Sequence, residues 1–126
     1  MKLAARIATG LFALLFVAMG VRWIIDPAGA AAGLGMELLT GLGASSQIGD
    51  FGAFFLSGGA MLAWAVRTGQ AGWTYPPAIM VGAAAVMRTL AWATDNADFA
   101  AQAIVPEIIM TAIFVGSARL RAGEGD

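Results

Sequence analysis

The chain contains four apolar stretches, each about long enough to cross a membrane as a helix. About 20 apolar residues in a helix span the ~30 Å hydrocarbon core of a bilayer. Of the 126 residues, 60% are hydrophobic and only 12% are charged, whereas a soluble domain carries roughly 25% charged residues. The stretches are Leu3–Ile25, Ile48–Val66, Trp73–Trp92 and Phe99–Ser117.

These stretches predict an all-α fold, a four-helix transmembrane bundle that forms one integral membrane domain over residues 1–126. The mean hydropathy of +0.79 agrees with this class. Lys2 and Arg6 before an apolar core also resemble the start of a secretory signal. Because three more apolar stretches follow, we expect the first to remain as an uncleaved transmembrane helix.

The charges at the ends of the stretches predict the orientation. Loops rich in Lys and Arg stay on the cytoplasmic side of a membrane, so both termini and the loop between spans two and three are expected there. We therefore expect a multi-pass protein of the bacterial inner (cytoplasmic) membrane. The basic residues on this side are Lys2, Arg6, Arg67, Arg119 and Arg121, whereas the connections Asp26–Gln47 and Thr94–Asp98 contain acids but no Lys or Arg.

The connections carry signals for local structure. Asp26 is a good N-cap and Pro27 suits a first helical turn, which predicts a short interfacial helix within Asp26–Leu39. The glycines of this region weaken such a helix, so a partly irregular loop is the alternative. Ser45 and Ser46 are expected to cap span two.

Span three opens with Pro76 and Pro77, which first-turn positions tolerate. The segment Thr94–Asp98 has room only for a tight turn, so spans three and four are expected to form an antiparallel hairpin.

Spans two and three contain rows of small residues at four-residue spacing. Gly49, Ala53 and Ser57 form one row, and Ala78 and Gly82 form the other. Such rows let helix backbones approach closely in lipid. They fit either packing within the bundle or an interface with another protein.

Four ionisable residues lie inside or at the ends of the spans, all toward the outer half of the bundle. Charges at a span centre cost about 2.5–3.5 kcal/mol each, so they usually face inward and pair. Because spans three and four are neighbours, Arg88 is the natural partner of Glu107, and Arg22 is a second candidate partner for Asp50. We predict one polar cluster of Arg22, Asp50, Arg88 and Glu107, which is either structural, a ligand or headgroup site, or part of a proton or ion pathway.

Pro106 should kink the helix beside Glu107, because it cannot donate a hydrogen bond to the carbonyl of Gln102 and its ring pushes that turn apart. Together with Thr111, one turn beyond Glu107, this gives span four several polar groups that could hold a ligand, water or a proton. The inner half of each span is almost wholly apolar, which argues against transport by a single copy. The side chains expected to line a pocket are Phe51, Phe54, Trp92, Gln102 and Thr111.

Two absences limit the chemistry of the chain. It has no cysteine and no histidine, which removes thiolate metal sites, the commonest haem and zinc ligands and the usual general base. We expect no metal, no catalytic residues and no cofactor held by the chain's own ligands. No basic run exists to neutralise phosphates, so nucleic acid is not an expected partner.

Several short features together carry a family resemblance. They are the Asp26-Pro27 step with the run to Leu34-Gly35, the segment Gly49-Asp50-Phe51-Gly52-Ala53-Phe54-Phe55 with Gly58-Gly59, Arg88 and Glu107. With these residues the chain resembles a bacterial family of small four-helix membrane proteins, domain-of-unknown-function family 4345, which is itself similar to the DoxX-like group. This resemblance implies the fold and topology and no particular activity. The chain departs from the family pattern at Phe51-Gly52, where the family often has an arginine just before the small and aromatic residues of span two.

Three functional hypotheses follow. The first is a non-catalytic accessory or structural subunit of a larger membrane complex, or a homo-oligomer, with lipids and other membrane subunits as partners. The second is a binding module for a lipid, quinone, carotenoid or other apolar molecule with a polar headgroup site. The third is a proton-coupled carrier or oligomeric pore that uses Glu107.

Overall fold

The computed structural model describes residues 1–123 of the chain. These residues form five α-helices and one 3-10 turn, joined by short connections. The all-α fold is confirmed. The elements are α1 (Lys2–Ile25), α2 (Pro27–Gly33), α3 (Gly41–Thr68), the 3-10 turn Ala71–Thr74, α4 (Tyr75–Ala93) and α5 (Ala101–Leu120).

Helices α1, α3, α4 and α5 are each long and apolar enough to cross a membrane, which confirms the prediction of a multi-pass membrane protein. They run alternately up and down, so the start of α1, the α3–α4 connection and the end of α5 lie together. We call this the inner end of the bundle and the opposite end the outer end. These names follow the predicted orientation, which stays a prediction.

The core lies where two helix pairs meet. Helix α1 packs along α3, α4 packs along α5, and α1 also contacts α5. The ring of Phe16 lies edge-on to Phe55 and Phe114, with centroids 5.4 and 6.1 Å apart. Leu62 and Val81 are fully buried beside this aromatic cluster. Elsewhere, large aliphatic side chains of α1, α4 and α5 point outward, as lipid contact requires.

Two glycines allow the backbones of α1 and α3 to touch. A methyl group added at Gly59 would lie 2.9 Å from the backbone nitrogen of Val17 and 3.1 Å from the carbonyl oxygen of Ala13. One added at Gly20 would lie 2.9 Å from the backbone nitrogen of Leu56. Backbone atoms cannot move aside as a flexible side chain can, so both sites require glycine.

The two predicted rows of small residues have different roles. Ala78 is buried, and a methyl group at Gly82 would lie 3.3 Å from Thr111, so this row packs α4 against α5. Gly49, Ala53 and Ser57 are instead exposed. Packing within the bundle is therefore the wrong interpretation for that row.

Helix α3 begins at Gly41, seven residues before the predicted span. Thr40 is the N-cap, so the prediction that Ser45 and Ser46 cap this helix is wrong. A residue of the early turns of α3 forms hydrogen bonds with the preceding loop. The side-chain amide of Gln47 accepts a hydrogen bond from Leu39 N (2.7 Å) and donates one to Glu37 O (3.1 Å).

The short helix after α1 forms within the predicted segment. The Asp26 carboxylate accepts a hydrogen bond from Gly29 N at 3.0 Å, which confirms Asp26 as the N-cap of α2. The helix ends at Gly33, and the remainder of the segment to Leu39 is irregular. Gly35 follows with a φ of 75°, a left-handed conformation that glycine adopts without strain.

Helices α4 and α5 form the predicted hairpin. Pro76 and Pro77 lie in the first turn of α4, as expected. The connection continues to Ala100, two residues past the predicted turn, and Asp95 takes a left-handed φ of 57° within it. The rings of Trp92 and Phe99 pack against each other across this connection, with centroids 5.0 Å apart.

At the inner end, two arginines bind the last carbonyls of α3. The final four carbonyls of a helix have no partner inside the helix, and cations near them are favourable. Arg6 Nη2 donates to Val66 O at 2.8 Å, and Arg121 Nη2 donates to Ala65 O at 2.9 Å. Arg6 lies on α1 and Arg121 follows α5, so these contacts join three helices.

Substituting Gly59→Ala should destabilise the bundle by about 1–3 kcal/mol, because the new methyl group meets the backbone of α1. The matched control is Gly116→Ala in α5, where no atom lies within 4 Å of the added methyl group. That variant should gain up to about 1 kcal/mol from helix propensity. Thermal unfolding of both variants in mild detergent checks the prediction, and equal effects would contradict it.

Substituting Arg121→Met should lower stability by about 1.5–3 kcal/mol, because it removes the charged donor to Ala65 O from a fully buried position. Arg119→Met is the control, since Arg119 lies two residues earlier, is exposed and does not take part in this contact. The same unfolding assay applies. A loss of stability of similar size in the two variants would show that removal of a positive charge, and not loss of the contact with Ala65, is responsible.

Candidate functional site

The predicted pairing of Arg88 with Glu107 is confirmed. Arg88 Nε donates to Glu107 Oε1 at 2.9 Å, linking α4 to α5. The Glu107 side chain is 12% exposed and that of Arg88 is 37% exposed. The carboxylate thus lies inside the protein, while part of the guanidinium remains accessible.

The contact leaves much of the hydrogen-bonding capacity of both groups unused. Glu107 Oε2 is buried and has no hydrogen-bond partner among residues 1–123. The Arg88 Nη groups form no ion pair or hydrogen bond with any described residue. An unsatisfied buried acceptor costs about 1–3 kcal/mol and more when charged, so this oxygen is a site where a donor would be strongly favoured.

Arg22 does not join this pair. Its guanidinium lies 3.3 Å from the Asp26 carboxylate, four residues along the chain, and both side chains are more than half exposed. The predicted contact between Arg22 and Asp50 is therefore wrong. The reason is local: an acid four residues away at the end of the same helix is closer than one on another helix.

Asp50 also lies apart. It is exposed and forms no ion pair or side-chain hydrogen bond with any residue that the structure describes. The predicted cluster of four charged residues is thus wrong, and only its Arg88–Glu107 half forms. Phe55, Gly59 and Leu62 define the buried side of α3, and helical spacing places Asp50 on the opposite side. Because α3 starts at Gly41, Asp50 lies in its third turn.

The five predicted lining residues are dispersed. Phe51 stacks on Trp23, with ring centroids 5.2 Å apart, and Phe54 packs beside Phe16. Trp92 lies at the hairpin connection and Gln102 is exposed. Of the five, Thr111 is the one that forms a hydrogen bond with a residue of the Arg88–Glu107 pair.

Pro106 and Thr111 lie on either side of Glu107 in α5. The Thr111 hydroxyl donates to the carbonyl oxygen of Glu107 at 2.8 Å. Pro106 is inside the helix, which continues through it to Leu120. A proline has no N–H to donate to the carbonyl of Gln102, so this carbonyl lacks its usual partner in the helix.

A shallow groove of about 720 Å³ runs between α4 and α5 on the lipid-facing side. Its lining is almost entirely apolar and includes neither Arg88 nor Glu107. Lipid tails suit such a groove. Its residues include Gly82, Val86, Thr89, Ile104, Ile108 and Val115.

A layer of buried hydroxyl groups near the inner end was not predicted. Thr9 and Ser117 share a hydrogen bond at 2.8 Å, and Thr74 donates to the carbonyl oxygen of Phe114 at 3.1 Å. The inner half was expected to be almost wholly apolar, and these hydroxyl groups are the polar exceptions. The signal was present in the sequence as hydroxyl residues within or beside spans one, three and four, but Thr and Ser are too common in helices to indicate burial alone.

Among residues 1–123, no three His, Cys, Asp or Glu side chains come together in a way that could hold a metal ion.

Comparison with known proteins found no match: no family model fits the chain, and neither a curated protein nor a solved structure is significantly similar to it. The resemblance to family 4345 stays a prediction. The structure alone therefore defines the class, an all-α multi-pass membrane protein with a partly buried ion pair between Arg88 and Glu107.

Double-mutant cycles should give different coupling energies for the two ion pairs. For Arg88→Gln with Glu107→Gln, we expect a coupling energy on the order of 1 kcal/mol, because the carboxylate is largely buried. For Arg22→Gln with Asp26→Asn, the exposed pair should give about 0.5 kcal/mol or less. Unfolding of the single and double variants in detergent measures both, and equal couplings would contradict the difference in burial.

Proposed function

We propose that this protein is a non-catalytic accessory subunit of a larger membrane assembly, located in the bacterial inner membrane, and that it binds its partner through one face of α3. This α3 exposed face consists of Ser46, Asp50, Ala53, Ser57, Ala60 and Trp64. All six residues are exposed, and they follow one another at intervals of three or four. That spacing places them along one side of a helix, as in helix–helix contacts.

The observation that carries the proposal is the contrast between this face and the other lipid-facing surfaces. Helix α1 exposes nine large apolar side chains, from Leu3 to Ile25. Helix α3, described over its whole length, exposes two, Leu42 and Trp64, with none between them. Long aliphatic side chains suit lipid tails, whereas small residues suit the close approach of another helix.

The polarity of the face is suited to contact with a protein. The Ser57 hydroxyl donates to the carbonyl oxygen of Ala53 in its own helix at 2.6 Å, so it leaves a small, smooth surface. Asp50 is the one acid on the face. An acidic side chain facing lipid is unfavourable and is stabilised by a basic partner.

Asp50 favours a different protein over a second copy as the partner. Two copies in one membrane share the same orientation, so a two-fold contact between α3 helices would place both Asp50 carboxylates at the same depth on facing surfaces. Like charges there repel. We therefore propose a partner helix with small residues along one side and an Arg or Lys near the outer end. No particular contact of the described residues favours a carrier or pore.

Substituting Ala53→Phe or Ser57→Phe should release the chain from its partner, because the new ring prevents close approach of the helices. Both positions are exposed, so the fold should persist with a change in unfolding free energy of about 0.5 kcal/mol or less. Val105→Phe on α5 is the control, since Val105 is 53% exposed on another lipid-facing surface.

Native mass spectrometry of tagged protein released from its own membranes measures the outcome. We expect a stoichiometric second protein with the wild type and with Val105→Phe, and a lone chain with the α3 variants. A homo-oligomer would overturn the choice of partner. A lone wild-type chain, or equal binding by all variants, would overturn the proposal.

A further inference from the structure

We infer that the Arg88–Glu107 pair binds the headgroup of a lipid that carries both a phosphate and an ammonium with N–H groups, as phosphatidylethanolamine does. The inference does not depend on the α3 exposed face. It rests on the hydrogen-bonding groups that the ion pair leaves unused on α4 and α5.

The first requirement on the ligand comes from Glu107. Its Oε2 is a buried carboxylate oxygen that receives no hydrogen bond from residues 1–123. Such an oxygen can only accept, so the ligand must bring a donor. A charged N–H donor suits it best, because hydrogen bonds between ions are the stronger ones.

The second requirement comes from Arg88. Only its Nε contacts Glu107, and the side chain remains 37% exposed. The Nη groups, which form no bond with the described residues, carry four N–H donors. Phosphate oxygens match the planar arrangement of these donors. The ligand must therefore also bring an acceptor, next to its own donor.

The net charge of the Arg88–Glu107 pair narrows the class of headgroup further. Arg88 and Glu107 together carry no net charge, so a purely anionic or purely cationic headgroup gains on one residue what it loses on the other. A zwitterion gains on both. Phosphoethanolamine has its ammonium and phosphate separated by two carbons, which fits two protein groups that are themselves in direct contact.

The depth of the pair favours a lipid over a free metabolite. Arg88 lies five residues before the end of α4 and Glu107 six residues after the start of α5. At about 1.5 Å per residue, both lie about 8–9 Å from the helix ends, on the outer side. A lipid of the outer leaflet reaches this depth with its headgroup while its tails remain in the membrane.

Binding of a methylation series to the delipidated wild-type protein tests the inference without any variant. The probes are phosphatidylethanolamine, its N-methyl and N,N-dimethyl derivatives, and phosphatidylcholine, with identical acyl chains. The first three retain an N–H donor and should bind within a few-fold of each other. Phosphatidylcholine, which has no N–H donor, should bind with an affinity at least about tenfold lower. Native mass spectrometry in a mild detergent gives the occupancies.

Two further arms identify the site and the source of the headgroup. Glu107→Gln should abolish the preference for phosphatidylethanolamine over phosphatidylcholine. Glu37→Gln, which removes an exposed carboxylate in the outer connection before α3, should retain it. Free phosphoethanolamine at millimolar concentration should not displace the lipid. Displacement would identify a soluble ligand and overturn the lipid assignment.

Equal binding of phosphatidylethanolamine and phosphatidylcholine by the wild type would overturn the inference. So would an unchanged preference in folded Glu107→Gln protein. These readouts are lipid occupancies and not subunit stoichiometries, so their failure leaves the proposed partner contact of α3 unaffected.

Discussion

The contact between the backbones of α1 and α3 fixes the arrangement of the remaining helices. Gly20 and Gly59 remove the side chains that would otherwise hold the two helices apart. Lipid provides no hydrophobic drive for helix association, so stabilisation comes from close van der Waals contact along the helices. With α1 and α3 so close, Phe16 reaches both Phe55 and Phe114, and the aromatic cluster brings α5 against the first pair.

The polar groups are separated by depth. The inner end contains the hydroxyls of Thr9, Ser117 and Thr74 together with the two arginines that bind the end of α3. Each of these hydroxyls has a partner, so the layer is structural in character. The outer side contains Arg88 and Glu107, whose hydrogen-bonding capacity is only partly used within residues 1–123. Unused capacity, more than charge itself, distinguishes a candidate binding site from a structural contact.

Much of the fold could be predicted from the sequence, because membrane helices need long apolar stretches and the chain has four of them. Local signals were also sufficient for the Asp26 cap and the Pro76-Pro77 start of α4. The start of α3 was missed because its first turns contain Gly41, Gly43 and Ser45, which read as a loop by propensity. The side-chain contact of Gln47 with the loop outweighs that propensity.

The candidate site was half predictable. Hairpin neighbours at similar depth brought Arg88 and Glu107 together, and counting residues along the spans was enough to pair them. To place Asp50, it is necessary to know on which side of the helix it lies as well as its depth in the membrane. The buried side of α3 includes Gly52, Gly58 and Gly59, so hydrophobicity did not reveal which side faces inward. Arg121 was missed for a different reason, since burial of an arginine beside a helix end depends on a contact 56 positions away in sequence.

The arginine contacts at the inner end also order the steps of assembly. The last carbonyls of α3 emerge from the ribosome well before Arg121, which follows α5. During synthesis α1 and α3 can pair early through their glycines, while one end of α3 still lacks its final partner. Only insertion of α5 supplies it. The full set of arginine contacts at the inner end therefore requires all four spanning helices, and a chain that stops before α5 would leave the end of α3 with the Arg6 contact but without the Arg121 contact.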